Sequence, residues 1–232
     1  MKPIKIAKKL NISTSALRHY ESWGIIPPVE RAPNGYRIYT EEHFAYFSCI
    51  RAMVPGFGFK LTSNVLKKVL AKEVDEAFWL VNEAQSSLYD DKRTAEKTIQ
   101  VLGTEELQGL DNIHKGIWMT IGEVSAQTNI PSSAIRHWEL TGLISPDRDQ
   151  DNGYRKFNHA LVRKILMIRT LRSADYSLEI IKEVLTELDH HNVKNARKVA
   201  QDSLNYLNHI NRNQIRGVHY LYNVCNVSEL LD

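Results

Sequence analysis

The sequence predicts a mainly α-helical chain of two tandem winged helix-turn-helix domains, each with a small β-hairpin wing, plus long coiled-coil-like C-terminal helices. Three observations carry that expectation. Residues 12–37 and 130–155 match without a gap at 13 of 26 positions, where unrelated segments of ordinary composition share roughly one or two. Each copy holds two short helical patterns across a tight turn, then a proline-containing stretch ending Asn-Gly-Tyr-Arg. The segment 192–222 keeps Ala196, Val199, Ala200, Leu204, Leu207, Ile210, Val218 and Leu221 on one helical stripe. The 118-residue period is far longer than a solenoid unit, so it marks a duplicated domain.

The elements follow in order. Ile4, Ile6, Ala7 and Leu10 recur at helical spacing and stop at Asn11-Ile12. Ser13 is an N-cap for a second helix through about Trp23, and Gly24 ends it. Two helices across a three- or four-residue turn form a helix-turn-helix. Pro27, Pro28 and Pro33 exclude helix from the next stretch, Asn34-Gly35 is a hairpin turn, and Tyr36-Arg37-Ile38-Tyr39 reads as the returning strand. Thr40 with Glu41 and Glu42 starts a third helix to about Met53, which Pro55, Gly56 and Gly58 break. Thr62 or Ser63 starts another to about Ala71, and 75–102 reads as one longer helix. Residues 103–118, with three glycines, form a structured linker. The second copy repeats the order: a helix over 121–127, a turn at Asn129-Ile130, a helix through Leu140, Gly142 as terminator, and a wing. Helices capped by Asn158 and Ser177 follow, to Leu171 and Leu188. The expected domains are 1–72, a connecting helix and linker over 73–118, a second domain over 119–188, and a C-terminal dimerisation-type helix over 189–232. So long a half-exposed helix calls for a packing partner.

Composition narrows the function. Hydrophobic content of 43% and charged content of 25% are those of a soluble globular protein. No run reaches the ~18 apolar residues of a membrane span, and MKPIKIAKKL is no signal peptide. Cys49 and Cys225 are far apart and lack CxxC spacing, so neither a disulfide framework nor a zinc knuckle is expected, and a reducing cytoplasm is the setting. Net charge is +3 overall, but residues 1–72 carry 12 Lys/Arg against 4 Asp/Glu, or +8. Residues 73–116 carry −6, residues 117–186 carry +1, and the remainder balances. A basic first copy followed by an acidic segment points to a polyanionic partner.

Reading DNA needs an element that fits the major groove and cations that fix its register on phosphates. The second helix of each copy offers Thr14, Ser15, Arg18 and His19, and Ser132, Ser133, Arg136 and His137. The wings add Arg31, Tyr36 and Arg37, and Arg148, Tyr154, Arg155 and Lys156. The run Arg18-His19-Tyr20-Glu21, Gly24-Ile25-Ile26, Pro28, Arg31 and Asn34-Gly35-Tyr36-Arg37-Ile38-Tyr39 resembles the DNA-binding domain of the MerR family. Arg136, Glu139, Gly142-Leu143-Ile144, Pro146, Gly153-Tyr154-Arg155 and Phe157 follow the same pattern, so the resemblance covers residues 3–72 and 119–188. It implies a winged regulator whose dimer, joined by antiparallel long helices, binds a pseudo-palindromic promoter in double-stranded DNA, with RNA polymerase as a further partner. It also implies that Arg18, Tyr20, Tyr36 and Arg37 grip phosphates while Thr14 and Ser15 lie nearest the bases. Arg136, Trp138, Tyr154 and Arg155, with Ser132 and Ser133, are the counterparts.

The copies depart from the pattern where DNA would be touched. Trp138 replaces Tyr20, leaving an indole N–H in place of a hydroxyl. In the gapless alignment Asp149 stands at Arg31, and Asp147, Asp149 and Asp151 surround Arg148. Three carboxylates there would oppose a phosphate. Either both copies read DNA, or the first does and the second serves as a dimerisation or protein-docking scaffold. No cofactor or metal is expected. His19 and His137 lack Cys or carboxylate partners, and His190-His191 read as a solvated helix end. Cys49 reads as core, while Trp79, Trp118, Tyr220 and Tyr222 read as core aromatics. No phosphate loop, nucleophile elbow or paired-carboxylate constellation suggests an enzyme. The internal pairing of the two copies and a two-chain homodimer through the C-terminal helix both remain open, with the 192–222 stripe favouring the homodimer.

Overall fold

The computed structural model describes residues 1–103, 118–189 and 193–231. Most of the linker and the histidine pair at 190 and 191 therefore lie outside the described residues. The described residues form nine helices and two two-stranded antiparallel hairpins, and none of these helices is long and apolar enough to cross a membrane. The chain divides into two compact units, residues 1–88 with 209–232, and residues 89–208.

The first unit opens with α1 (Pro3–Leu10), which proline initiates at its first turn and which Asn11 ends in the left-handed conformation (φ 51°). Its 4, 6, 7, 10 pattern orients it: Ile6 and Ala7 are buried, while Ile4 stays exposed. Helix α2 (Thr14–Ser22) begins where the Ser13 hydroxyl accepts the Ala16 N–H at 3.1 Å. Gly24, at φ 63°, turns the chain out of it. Strands β1 (Glu30–Arg31) and β2 (Arg37–Ile38) make the wing, with Glu30 opposite Ile38 and Arg31 opposite Arg37. Its turn is not the two-residue Asn-Gly turn that the dipeptide suggests. Gly35 N–H bonds the Ala32 carbonyl and Ala32 N–H bonds the Tyr36 carbonyl. Pro33 thus enters a turn whose bulge position Gly35 fills at φ 80°.

Helix α3 (Glu41–Leu70) starts in a capping box between Thr40 and His43. As expected it is two helices, joined across a kink, with the break at Gly58 rather than at Pro55. Helical geometry passes through Pro55 and Gly56, and only Gly58 leaves it (φ 71°, ψ 164°). Proline removes one N–H without ending a helix held by packing on its far side. Here the C-terminal helix supplies that packing: a Cβ on Gly56 would stand 2.6 Å from the backbone N of Gln214. Helix α4 (Val74–Gly103) begins in this unit and contributes Ala77 and Val81 to its core.

The second unit repeats the plan. Helix α5 (Ile121–Thr128) starts in a capping box of Thr120 with Glu123 and ends at left-handed Asn129. Helix α6 (Ser132–Leu140) follows, with Pro131 where the first copy has its capping serine. Strands β3 (Asp147–Arg148) and β4 (Arg155–Lys156) form the second wing. Met119 and Phe157 bridge its exit to the segment before α5. Asn158 caps α7 (His159–Ser173), and α8 (Leu178–Asp189) comes next.

Helix α9 (Val193–Val227) runs five residues beyond the expected end and belongs in part to each unit. Ala196 and Ala200 enter the second core; Leu221, Val224 and Cys225 enter the first. Of the apolar stripe that suggested a partner chain, Ala196, Ala200, Leu207 and Leu221 are buried within this one, and Val199, Leu204, Ile210 and Val218 are half-buried.

Candidate nucleic-acid interface

In the first unit Leu17, fully buried, fastens α2 to the core and turns its other side outward. Thr14, Ser15, Arg18 and His19 are all exposed on that side. Arg18 Nη2 donates to Ser15 Oγ at 3.1 Å. His19 stacks on Trp23 with ring centroids 5.5 Å apart, and Trp23 meets Phe59 edge-on at 4.9 Å. Tyr20 is half-buried against Phe47 and Trp23, and burial pushes its phenol above the ordinary value. Thr14, Arg18, Asn34, Tyr36 and Arg37 line one groove of about 810 Å³ between α2 and the wing.

The wing is held at a set distance from the helix. Arg37 Nε donates to Glu21 at 2.5 Å, an ion pair in which each side chain is about a quarter exposed. Arg31 reaches the Gly35 carbonyl at 3.4 Å. The Asn34 side chain accepts the Tyr36 N–H at 3.2 Å, and the Tyr36 ring stands free at 73% exposure. Cations on a helix and on a wing, with Glu21 of the helix tied to Arg37 of the wing, form one positively charged face.

The second copy builds the same face from the same parts. Ser133, Arg136 and His137 are exposed on α6, with Ser132 half-buried. Glu139 takes Arg155 at 2.6 Å and Arg148 at 2.8 Å. Arg148 also reaches the Gly153 carbonyl at 3.5 Å, and Tyr154 is 72% exposed. Arg148 faces Arg155 across the hairpin as Arg31 faces Arg37.

Three expectations change. Arg148, not Asp149, occupies the place of Arg31; the second wing carries one more residue in its turn and one fewer before β3, which a gapless alignment conceals. Asp149 folds inward. Its carboxylate pairs with Lys156 at 2.6 Å and accepts the N–H groups of Asp151 and Asn152 at 3.0 and 3.1 Å. Lys156 first, then those amides, hold it below the usual carboxylate range. Asp147 faces the same lysine across the ladder, so Arg148 is not ringed by three free carboxylates. Trp138, finally, is 7% exposed in the second core and does not share the surface of Arg136 and His137, because a bulky indole gains more from burial than a phenol does. Sequence reasoning also assigned no role to Glu21 and Glu139. Their identity across the repeat, where Ser22 and Leu140 beside them differ, was the available signal.

A MerR family regulatory protein model matches residues 3–39, and a MerR HTH family regulatory protein model matches residues 119–188. The HTH-type transcriptional regulator HmrR of Rhizobium leguminosarum bv. viciae is 34% identical over 88 residues, 37% of this chain and 67% of the relative. The HTH-type transcriptional regulator CueR of Escherichia coli O157:H7 is 33% identical over 109 residues, 46% of this chain and 73% of the relative. This chain belongs to the MerR family of transcription regulators. As a MerR-family regulator it binds DNA. The Heavy metal-dependent transcription regulator 2 of Rhizobium meliloti (strain 1021) is 37% identical over 67 residues, 29% of this chain and 46% of that protein's length. No solved structure matches the chain. Among the described residues of this MerR-type chain, no group of three or more His, Cys, Asp or Glu could hold a metal ion. Cys49 and Cys225 are both buried in the first core, and burial raises both thiols above their ordinary range.

Proposed function

We propose that both winged copies of this regulator bind double-stranded DNA. Residues 1–72 and 119–188 are the reading domains, α4 and the linker connect them along the chain, and α9 follows the second. The observation that carries the reading is the repeated ion-pair strut. Glu21 with Arg37, and Glu139 with Arg155 and Arg148, join recognition helix to wing in the same way. A second copy kept only as a docking scaffold has no use for a wing spaced to its helix, with exposed arginine, histidine and tyrosine around it.

In this reading Arg18 and Arg136 contact phosphate or guanine, Tyr36 and Tyr154 contact the phosphates beside each wing, and Ser15 and Ser133 approach the base edges. Arg37 and Arg155 serve first as struts and offer their remaining N–H groups to the backbone of the DNA. The copies differ in strength because the first carries +8 and the second, over residues 119–188, no net charge. The first therefore supplies most of the salt-dependent affinity.

Affinity for a selected duplex, measured against salt for Arg18→Ala and Arg136→Ala separately, tests the proposal. A loss of about 1–3 kcal/mol from each supports two reading heads. Loss from Arg18→Ala alone assigns DNA binding to the first copy and leaves docking to the second.

A further inference from the structure

The helix that follows each copy ends in the other copy's compact unit. Helix α4 leaves the first unit and from Tyr89 belongs to the second; α9 leaves the second and from His209 belongs to the first. Within the first unit α9 crosses α3 at backbone distance. A Cβ on Gly217 would meet Met53 Cα at 3.1 Å, and Gln214 Nε2 donates to the Gly56 carbonyl at 3.1 Å. Within the second unit α4 crosses α7. The hydroxyls of Thr98 and Thr170 lie 2.9 Å apart, and Arg169 pairs with Asp91.

These two crossings are the same crossing. Met53 and Thr170 are 117 residues apart, and Thr98 and Gly217 are 119 apart, each within one residue of the 118-residue period. Position i of one copy meets position j of the other copy's tail, and the reverse contact is made as well. In two-fold homodimers that reciprocity joins two chains; here a single chain makes both halves of it.

Three exposed side chains of the two recognition helices also agree. Ser15 and Ser133, Arg18 and Arg136, and His19 and His137 are identical and exposed in both copies. Identical side chains at the same places of the same motif read the same base edges.

We infer that this chain is a covalent pseudo-dimer, in which exchanged helices complete each copy's core and one chain reads a bipartite DNA site whose two half-sites share one sequence. The DNA part rests on the function proposed above, while the exchange stands on packing alone. No second chain is required, because the exchanged helices already fill the positions that a partner's helices would take.

Light scattering of the full chain, alone and on duplexes selected from a random pool, tests the inference. The expected results are a mass of 26.7 kDa for the free protein, one chain per selected duplex, and two copies of one motif in each selected sequence. Arg18→Ala and Arg136→Ala should each weaken binding by about ten-fold or more. Twice the mass, free or bound, would overturn the pseudo-dimer, and selected duplexes with a single motif or two unrelated motifs would overturn the shared half-site. If no duplex is selected, DNA reading fails, while the mass of the free protein still decides the exchange.

Discussion

Glu21 lies on the recognition helix, but its carboxylate is turned to Arg37 on the wing, and Glu139 does the same for Arg155 and Arg148. A negative charge beside a DNA-facing surface ordinarily weakens binding. Here the spacing of the wing depends on it, and the neighbouring arginine absorbs its field. Glu21→Ala should therefore lower DNA affinity about five- to ten-fold, in keeping with a partly exposed ion pair worth about 1 kcal/mol. A titration by fluorescence anisotropy checks this, and tighter binding by the variant would show that charge outweighs positioning. Asp149 makes a related point. Its sequence position suggested repulsion of phosphate, whereas its bonds to Lys156 and to two loop amides make it the organiser of the second wing turn.

Among the elements, α3 and α9 show how a close crossing overrides local propensity. Pro55, Gly56 and Gly58 together read as a helix end, and the break falls at the last of them, Gly58, after the helix has passed Pro55 and Gly56. Gly56 is there because α9 lies against it, not because the chain must turn. Gly56→Ala would bring a methyl within 2.6 Å of the Gln214 backbone, where no flexible side chain can yield. The helices must part, at about 1–3 kcal/mol by analogy with overpacked cores. Chemical denaturation of the variant measures this, and an unchanged midpoint would contradict so close a crossing. The short elements were legible beforehand for local reasons: Ser13, Thr40 and Asn158 cap helices through their own side chains, and Asn11 and Asn129 end them in left-handed geometry. The helical path through Pro55 and Gly56 was not, because α9, which packs against Gly56, lies 158 residues away in the chain.

Over the whole molecule, the first compact unit is built from two segments of chain that flank the one continuous segment of the second. The first unit takes its core from residues near the N-terminus and from Leu221, Val224 and Cys225. Leu221→Ala should cost about 2–5 kcal/mol and should loosen α1, α2 and α3 before α5 to α8. Hydrogen exchange reads this directly: faster exchange across the second unit in place of the first would refute the assignment of α9 to the first core. DNA affinity of the variant should fall with the integrity of the first copy, since that copy carries the larger positive charge.

By itself the sequence determined the duplication, the helix-turn-helix with wing in each copy, the family, and most of the exposed residues on the recognition helices. The elements follow from caps, glycines and periodicity, all of which act over a few residues, and the family from the resemblance of the repeated motif. The tertiary structure alone decided what each charged side chain faces and where the long helices go. Wing register placed Arg148 opposite Arg155, the glutamates became struts, Trp138 went into the core, and α4 and α9 each joined both units. Such outcomes depend on packing between residues far apart in the chain, which spacing along the sequence does not encode.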